Sequence, residues 1–198
     1  MTTVSRTVRA TIAGPSRLTV DHGFGVFVER EVLVDGGLPL VPALGGPLTL
    51  LFQTTRASRR VTKGAVVPGE PIYQYPAKIA RVVDGDTLWV DVDLWDGLVY
   101  RALVRVDGVN CPESHGPKAC PEGLAAAAYT GGLLPVGAPV VLTTRHVETR
   151  LLGHNERVEV HGRYLASVRL LDNDVRTLTE RLIATGHGVE YHGEGKVS

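Results

Sequence analysis

The fold of this chain is decided by one stretch, KIARVVDGDTLWVDVDLW, residues 78–95. Apolar and polar residues alternate on both sides of a central Asp-Gly-Asp, which predicts a strand, a tight turn and a second strand. The dipeptide Asp96-Gly97 then favours a hairpin, and LVYRALVRVDGV, residues 98–109, continues the alternation. This part of the sequence therefore predicts three strands in a meander.

Helices and further strands are expected downstream of the meander. Pro121 opens an alanine-rich stretch that predicts a helix, which a Gly-Gly pair at 131–132 should end. Strands are predicted over 139–148 and 163–172, where β-branched and apolar residues alternate, and an amphipathic helix over about 174–186. The apolar face of that helix would comprise Val175, Leu178, Leu182 and Ile183. This order predicts a mainly β domain with some α-helix: a five-stranded barrel of the oligonucleotide/oligosaccharide-binding (OB) type with packed helices.

The preceding residues predict a second, smaller unit. Residues 1–55 contain short alternating stretches, clearest in GVFVEREVLV, residues 25–34, and we expect a small β module of no recognised family. Residues 56–76 are basic and then rich in proline and glycine, which indicates a linker. Its basic half would follow a nucleic-acid backbone or simply be a solvated connection. The barrel domain is expected over 77–198.

Composition limits the classes of protein to be considered. The formal net charge is zero, so no overall positive field attracts nucleic acid. The start of the chain has no long apolar core and no 18 apolar residues run together, so we expect a soluble, cytoplasmic protein with no signal peptide and no membrane partner. Cys111 and Cys120 are too few for a disulfide scaffold. Two free or loosely paired thiols are a better interpretation than a zinc site with His115, which would lack a fourth ligand.

Three motifs carry a family resemblance: VVDGDT (82–87), RVDGVNCPE (105–113) and HGRYLA (161–166). In order and spacing they resemble the motifs of the staphylococcal nuclease (thermonuclease) family, and the resemblance covers about residues 76–193. It implies a calcium-dependent endonuclease that hydrolyses phosphodiester bonds of DNA or RNA and leaves 3′-phosphate ends. Single strands would be favoured, because an OB groove suits unpaired bases.

The residues themselves suit that chemistry. Asp86 follows a turn and offers a hard carboxylate oxygen to Ca²⁺. Asp84 is expected either to support the metal site without binding the ion or to stabilise the turn itself. Arg105 and Arg163 could hold one phosphate through forked hydrogen bonds. Glu113 could orient a water molecule. By resemblance, Glu113 is the general base and the two arginines neutralise the transition state.

The resemblance also assigns peripheral roles. Asn110 and the backbone carbonyl of Cys111 would complete the metal site, and His161 and Tyr191 would contact nucleic acid. Tyr191 or His192 would stack on a base, or else cap the barrel. The chain departs from the family pattern at Asn110, where an aspartate is expected: the amide keeps an oxygen donor but removes one negative charge, which weakens calcium binding.

Two hypotheses follow from these residues. The first is the active calcium-dependent nuclease, favoured by the presence of Glu113, Arg105 and Arg163 together. The second is a weakened or inactive module that serves nucleic-acid binding or structural assembly, for example in a virus particle, with residues 1–75 as its protein-docking element. Asn110 and the N-terminal module favour this alternative.

Overall fold

The computed structural model of the 198-residue chain divides into two compact units, Met1–Tyr73 and Gln74–Ser198. The structure describes residues 2–14, 17–31, 47–54, 63–65, 73–94, 97–144, 146–149, 153–156 and 163–191. The first unit contains a five-stranded antiparallel sheet with the strand order β3-β2-β1-β4-β5. Its strands are β1 (Thr2–Gly14), β2 (Arg17–Asp21), β3 (Phe27–Glu31), β4 (Pro47–Thr54) and β5 (Lys63–Ala65).

The segment 56–76, expected to be a linker, contains regular structure at two places. Strand β5 pairs with β4 of the first sheet, and the first strand of the second unit already begins at Gln74. The boundary between the two units lies within this segment. Residues 55–62 and 66–72 are outside the described part of the chain.

The second unit is built on a closed barrel with the strand order β10-β13-β8-β7-β6. Antiparallel pairing of β10 with β6 closes it, and β13 runs parallel to β8. The prediction of a mainly β domain with a five-stranded, OB-type barrel and helices is confirmed at this level. The barrel strands are β6 (Gln74–Asp84), β7 (Thr87–Asp93), β8 (Val99–Val106), β10 (Pro139–Thr144) and β13 (Tyr164–Leu170).

Shorter elements complete the second unit. Strand β9 (Val109–Asn110) pairs with β14 (Val189–Glu190), and β11 (His146–Thr149) pairs with β12 (Gly153–Glu156). Sequence alternation did not predict either pair. A 3₁₀ turn lies at Gly116–Lys118, and the two helices are α1 (Pro121–Leu133) and α2 (Leu178–Ala184).

The core of the barrel follows from the alternation of its strands. Every second side chain of β7 and β8 is buried, and each fully buried aliphatic residue contributes about 1.5–3 kcal/mol of transfer free energy. From α1 and α2, Ala126, Leu178 and Leu182 are buried as well. The inward residues of β6, β7 and β8 are Tyr75, Ala77, Ile79, Leu88, Val90, Val92, Ala102, Val104 and Val106.

Both helices differ in detail from the sequence prediction. Helix α1 starts at Pro121 as expected but continues through Gly131 and Gly132 to Leu133; the next residue, Leu134, is buried and its N–H donates to the carbonyl of Thr130. Helix α2 starts only at Leu178. Thr177 and Glu180 form a reciprocal capping box there, which fixes the first turn.

Two residues assigned to the apolar face of α2 are therefore not buried. Val175 precedes the helix and is 89% exposed, and Ile183 is also exposed. Asp174 sets this start, because its side chain accepts hydrogen bonds from the backbone and the side chain of Arg176 and so stabilises a turn before the helix.

Candidate active site

The Asp-Gly-Asp turn between β6 and β7 packs tightly against α1. A Cβ atom on Gly85 would lie 2.8 Å from Cβ of Ala126 and 2.9 Å from Sγ of Cys111. The hydroxyl of Thr130 donates a hydrogen bond of 2.8 Å to the carbonyl of Gly85. Glycine is therefore required at the centre of the turn for steric reasons, and the turn presents Asp84 and Asp86 in fixed positions.

Asp86 is buried and accepts three hydrogen bonds. Its Oδ1 accepts one from Nη1 of Arg105 at 2.7 Å and one from the hydroxyl of Thr87 at 3.0 Å. Its Oδ2 accepts one from the backbone N–H of Cys111 at 2.6 Å. These bonds join the start of β7 to strand β8 and to the loop after β9, so the side chain connects three segments of the chain.

Arg105 brings Asp86 and Asn110 to the same point. While Nη1 donates to Asp86, Nη2 donates to Oδ1 of Asn110 at 2.6 Å. The two side-chain oxygen donors predicted for the metal thus lie against one guanidinium. A cation bound between them would have to compete with this group or displace it.

Arg163 reaches the same region from the start of β13. Its Nη1 donates to the hydroxyl of Thr87 at 3.4 Å, and Thr87 in turn donates to Asp86. Thr87 also lies directly opposite Arg105 in the pairing of β7 with β8. The two arginines predicted to hold one phosphate are therefore connected through Thr87 and Asp86.

Asp84 holds the loop that carries Glu113. Its Oδ1 accepts hydrogen bonds from the backbone N–H of Ser114 at 3.0 Å, from the Ser114 hydroxyl, and from Nδ1 of His115 at 2.9 Å. Asp86 binds the same loop at Cys111. The two carboxylates of one turn therefore fix the loop on either side of Pro112 and Glu113, and the carboxylate of Glu113 is exposed.

The start of helix α1 packs against the backbone of this loop. The carbonyl of Glu113 accepts a hydrogen bond from the backbone N–H of Cys120 at 3.1 Å. A Cβ atom on Gly123, in the first turn of α1, would lie 2.0 Å from the same carbonyl oxygen. The backbone at Glu113 therefore rests directly on the start of the helix.

The environments of the two carboxylates differ. Burial acts to raise the pKa of Asp84, but the hydrogen bonds from Ser114 and His115 outweigh it and hold that pKa below its ordinary value. For Asp86 burial dominates, and its pKa is raised despite Arg105 and the Cys111 amide. The negative charge of Asp86 is thus incompletely compensated, which favours the approach of a further cation.

The donor set fits a hard cation with few protein ligands. The side-chain oxygens of Asp86 and Asn110 are of the type that Ca²⁺ prefers, but they carry one formal negative charge between them. Within the described residues, there is no group of three or more His, Cys, Asp or Glu side chains that could hold a metal ion.

The remaining predicted residues are placed as follows. Tyr191 is exposed just after β14, where its N–H donates to the carbonyl of Gly108, and β14 places Val189 opposite Asn110. His161 and His192 lie outside the described residues. Cys111 and Cys120 are both free thiols, and burial raises the pKa of Cys111 to about 12.

Sequence reasoning missed three contributors to this site. Thr87 joins Asp86 to Arg163, while Ser114 and His115 hold Asp84. Thr87 and Ser114 directly follow Asp86 and Glu113 in the sequence, and His115 follows Ser114. A hydroxyl beside a candidate carboxylate was the available signal for Thr87 and Ser114, but only the fold shows which partner each binds.

For the phosphodiester cleavage that the motif resemblance implies, Ser114→Ala is expected to lower the rate constant about tenfold, because outer hydrogen-bond partners of this kind typically contribute tenfold to a hundredfold. KM should change little, since Ser114 acts on the position of Glu113 rather than on substrate. Steady-state kinetics of Ser114→Ala and of the conservative variant Ser114→Thr would test this. A fall in melting temperature with an unchanged rate constant in Ser114→Ala would assign Ser114 a purely structural role.

Among the described residues, neither helix has the length and apolar character of a membrane-spanning segment.

Comparison with known proteins does not assign the chain to a family. No protein-family model matches the chain, and a search of curated proteins finds no match to its sequence.

Proposed function

We propose that the unit Gln74–Ser198 is a calcium-dependent endonuclease that hydrolyses phosphodiester bonds of DNA or RNA and leaves 3′-phosphate ends. The observation that carries this proposal is the hydrogen-bonded chain from Arg163 through Thr87 to Asp86, which Arg105 also binds, with Glu113 on a loop fixed by the same turn. The resemblance of three motifs to the thermonuclease family supports the same reaction.

The two arginines would bind the phosphate that is cleaved. Arg105 keeps guanidinium donors beyond the two that bind Asp86 and Asn110, and Arg163 reaches Thr87 from the start of β13, the strand next to β8. Planar donors from two arginines on one phosphate stabilise the extra negative charge that develops as the pentavalent centre forms.

Glu113 would accept a proton from the attacking water molecule. Its carboxylate is exposed, whereas its backbone is held by Asp84, Asp86 and the start of α1. A fixed backbone under a solvent-facing carboxylate suits a base that must reach water bound beside the substrate. Calcium held by Asp86 and Asn110 would supply positive charge to the phosphate oxygens when bound.

Replacing the arginines by lysine tests their role. Arg105→Lys and Arg163→Lys are each expected to lower the rate of cleavage about tenfold or more, because a point charge does not reproduce a bidentate fork. Arg101→Lys is the matched control, since Arg101 lies on the same strand as Arg105 but pairs with Asp91 at the surface. Near-normal rates in both site variants would remove the arginines from the reaction.

A second candidate function is favoured by Asn110. The site has one carboxylate where two would bind calcium tightly, and Arg105 already occupies both oxygen donors. A module that binds nucleic acid or a protein assembly, such as a virus particle, without cleaving would have no need of a second carboxylate. Residues 1–75 would then be its docking element.

Asn110→Asp separates the two candidates. The added charge should tighten calcium binding about tenfold and raise the cleavage rate at low calcium, with a smaller gain at saturation. Isothermal titration with calcium and cleavage assays across calcium concentrations would measure both effects. Tighter calcium binding without cleavage at any concentration would favour the non-catalytic module.

A further inference from the structure

The outer face of the barrel carries an aromatic side chain next to the candidate site. In β7 and β8 the even-numbered residues from Leu88 to Val106 point into the core, so the odd-numbered residues share the outer face. Trp89 and Leu103 lie opposite each other on that face, and both are half-buried. They form one row of the sheet.

This row is the direct neighbour of the arginine row. Thr87 and Arg105 form the adjacent pair, and Arg163 reaches Thr87 from β13. Residues two positions apart on a strand are separated by about 7 Å. The backbone of the Trp89–Leu103 row therefore lies about 7 Å from that of the Thr87–Arg105 row.

The next row on the other side limits the apolar surface. Asp91 and Arg101 lie opposite each other and form a bidentate ion pair at 2.7 and 2.8 Å. The two charges of this pair cancel, so it offers a phosphate backbone no net positive charge. The face thus changes from positive charge to an apolar aromatic row and then to a neutral ion pair.

We propose that Trp89, with Leu103 beside it, is the platform on which one base of the bound strand stacks when its phosphate lies on Arg105 and Arg163. The proposal rests on the proposed function for the position of the phosphate. Proteins bind single-stranded nucleic acid by combining positive charge along the backbone with aromatic rings on which bases stack, since every base has a face that can stack. Trp89 beside two arginines offers this combination. Bases paired in a duplex cannot reach the ring, which gives a physical reason for a preference for single strands.

Tryptophan fluorescence tests the platform without any cleavage. The chain has two tryptophans, so the full-length Trp95→Phe variant leaves Trp89 as the reporter. Titration with a single-stranded oligothymidylate of about ten nucleotides, in chelator, is expected to quench its emission, and the matched duplex is expected to quench it much less.

Substitutions of Trp89 then distinguish a loss of base stacking from a loss of folding. In the wild-type background, Trp89→Ala should weaken binding of the same oligonucleotide about tenfold by anisotropy, whereas Trp89→Phe should retain most of it. Val99→Ala is the control, because Val99 is an exposed residue of the same face, beyond the Asp91–Arg101 pair. Circular dichroism of each variant verifies that it is folded.

The outcomes distinguish this inference from the proposed nuclease activity. Quenching with weakened binding in Trp89→Ala supports the platform even if no cleavage occurs with calcium. Cleavage by the wild type together with unquenched emission and unchanged affinity in Trp89→Ala would overturn the platform but retain the nuclease. If Trp89→Phe binds as weakly as Trp89→Ala, stacking on an aromatic face is also refuted.

Discussion

Asp86→Ala is expected to abolish measurable cleavage, with a loss of about a hundredfold or more, and to destabilise the domain by about 3 kcal/mol. The carboxylate is the only charged oxygen donor proposed for calcium, and it is buried against Arg105, Thr87 and the amide of Cys111. Its removal leaves a largely buried guanidinium and a backbone N–H without this partner. Cleavage assays with saturating calcium and thermal melting in chelator would measure the two losses separately.

Asp91→Ala is the matched control for that experiment. Asp91 lies on the same strand and also pairs with an arginine, but the pair with Arg101 is at the surface. Such pairs contribute about 0–1 kcal/mol, so melting and cleavage should stay close to wild type. If Asp86→Ala behaved like Asp91→Ala in both assays, Asp86 would be neither the metal ligand nor the residue that joins the site together.

Gly123→Ala is expected to destabilise the domain by about 3 kcal/mol, and to lower cleavage with it. A Cβ atom would lie 2.0 Å from the carbonyl oxygen of Glu113, which is backbone and cannot rotate away. Either α1 or the loop that carries Glu113 must move. The helix propensity of alanine, about 1 kcal/mol better than glycine, does not offset such a clash.

Gly131→Ala isolates the effect of propensity in the same helix. Nothing lies within 4 Å of a Cβ atom at Gly131, so this change should stabilise the domain by about 0.5–1 kcal/mol. Chemical denaturation of the two variants should therefore give shifts of opposite sign. Equal shifts would mean that the loop does not rest on α1 as described.

The barrel was predictable because the alternation of apolar and polar residues that specifies each strand is local in the sequence. Alternation along residues 78–95 and 98–109 places one face of each strand in the core, and the structure buries those faces. The start of α2 was not predictable from apolar spacing, which includes Val175. There, hydrogen bonds of Asp174 and the capping box of Thr177 with Glu180 determine where the helix begins.

The candidate site was predictable in its residues but not in its connections. Asp86, Arg105 and Arg163 were singled out from motifs, and hydrogen bonds do connect them, with Thr87 between Asp86 and Arg163. That Arg105 bridges Asp86 to Asn110 depends on the register of β7 with β8 and on the fold of the loop after β8, which a sequence pattern does not specify. The sequence pattern likewise does not specify the partners of Asp84, which accepts hydrogen bonds from Ser114 and His115.

Digestion of nucleic acid in calcium and in chelator tests the central claim most directly. The full chain would be incubated with single-stranded DNA, single-stranded RNA and plasmid, with Glu113→Gln beside it, and the product ends would be identified. We expect cleavage that requires calcium, favours single strands, leaves 3′-phosphate ends and is strongly reduced in Glu113→Gln. Intact substrates at saturating calcium with folded protein, or undiminished cleavage in chelator, would contradict the account.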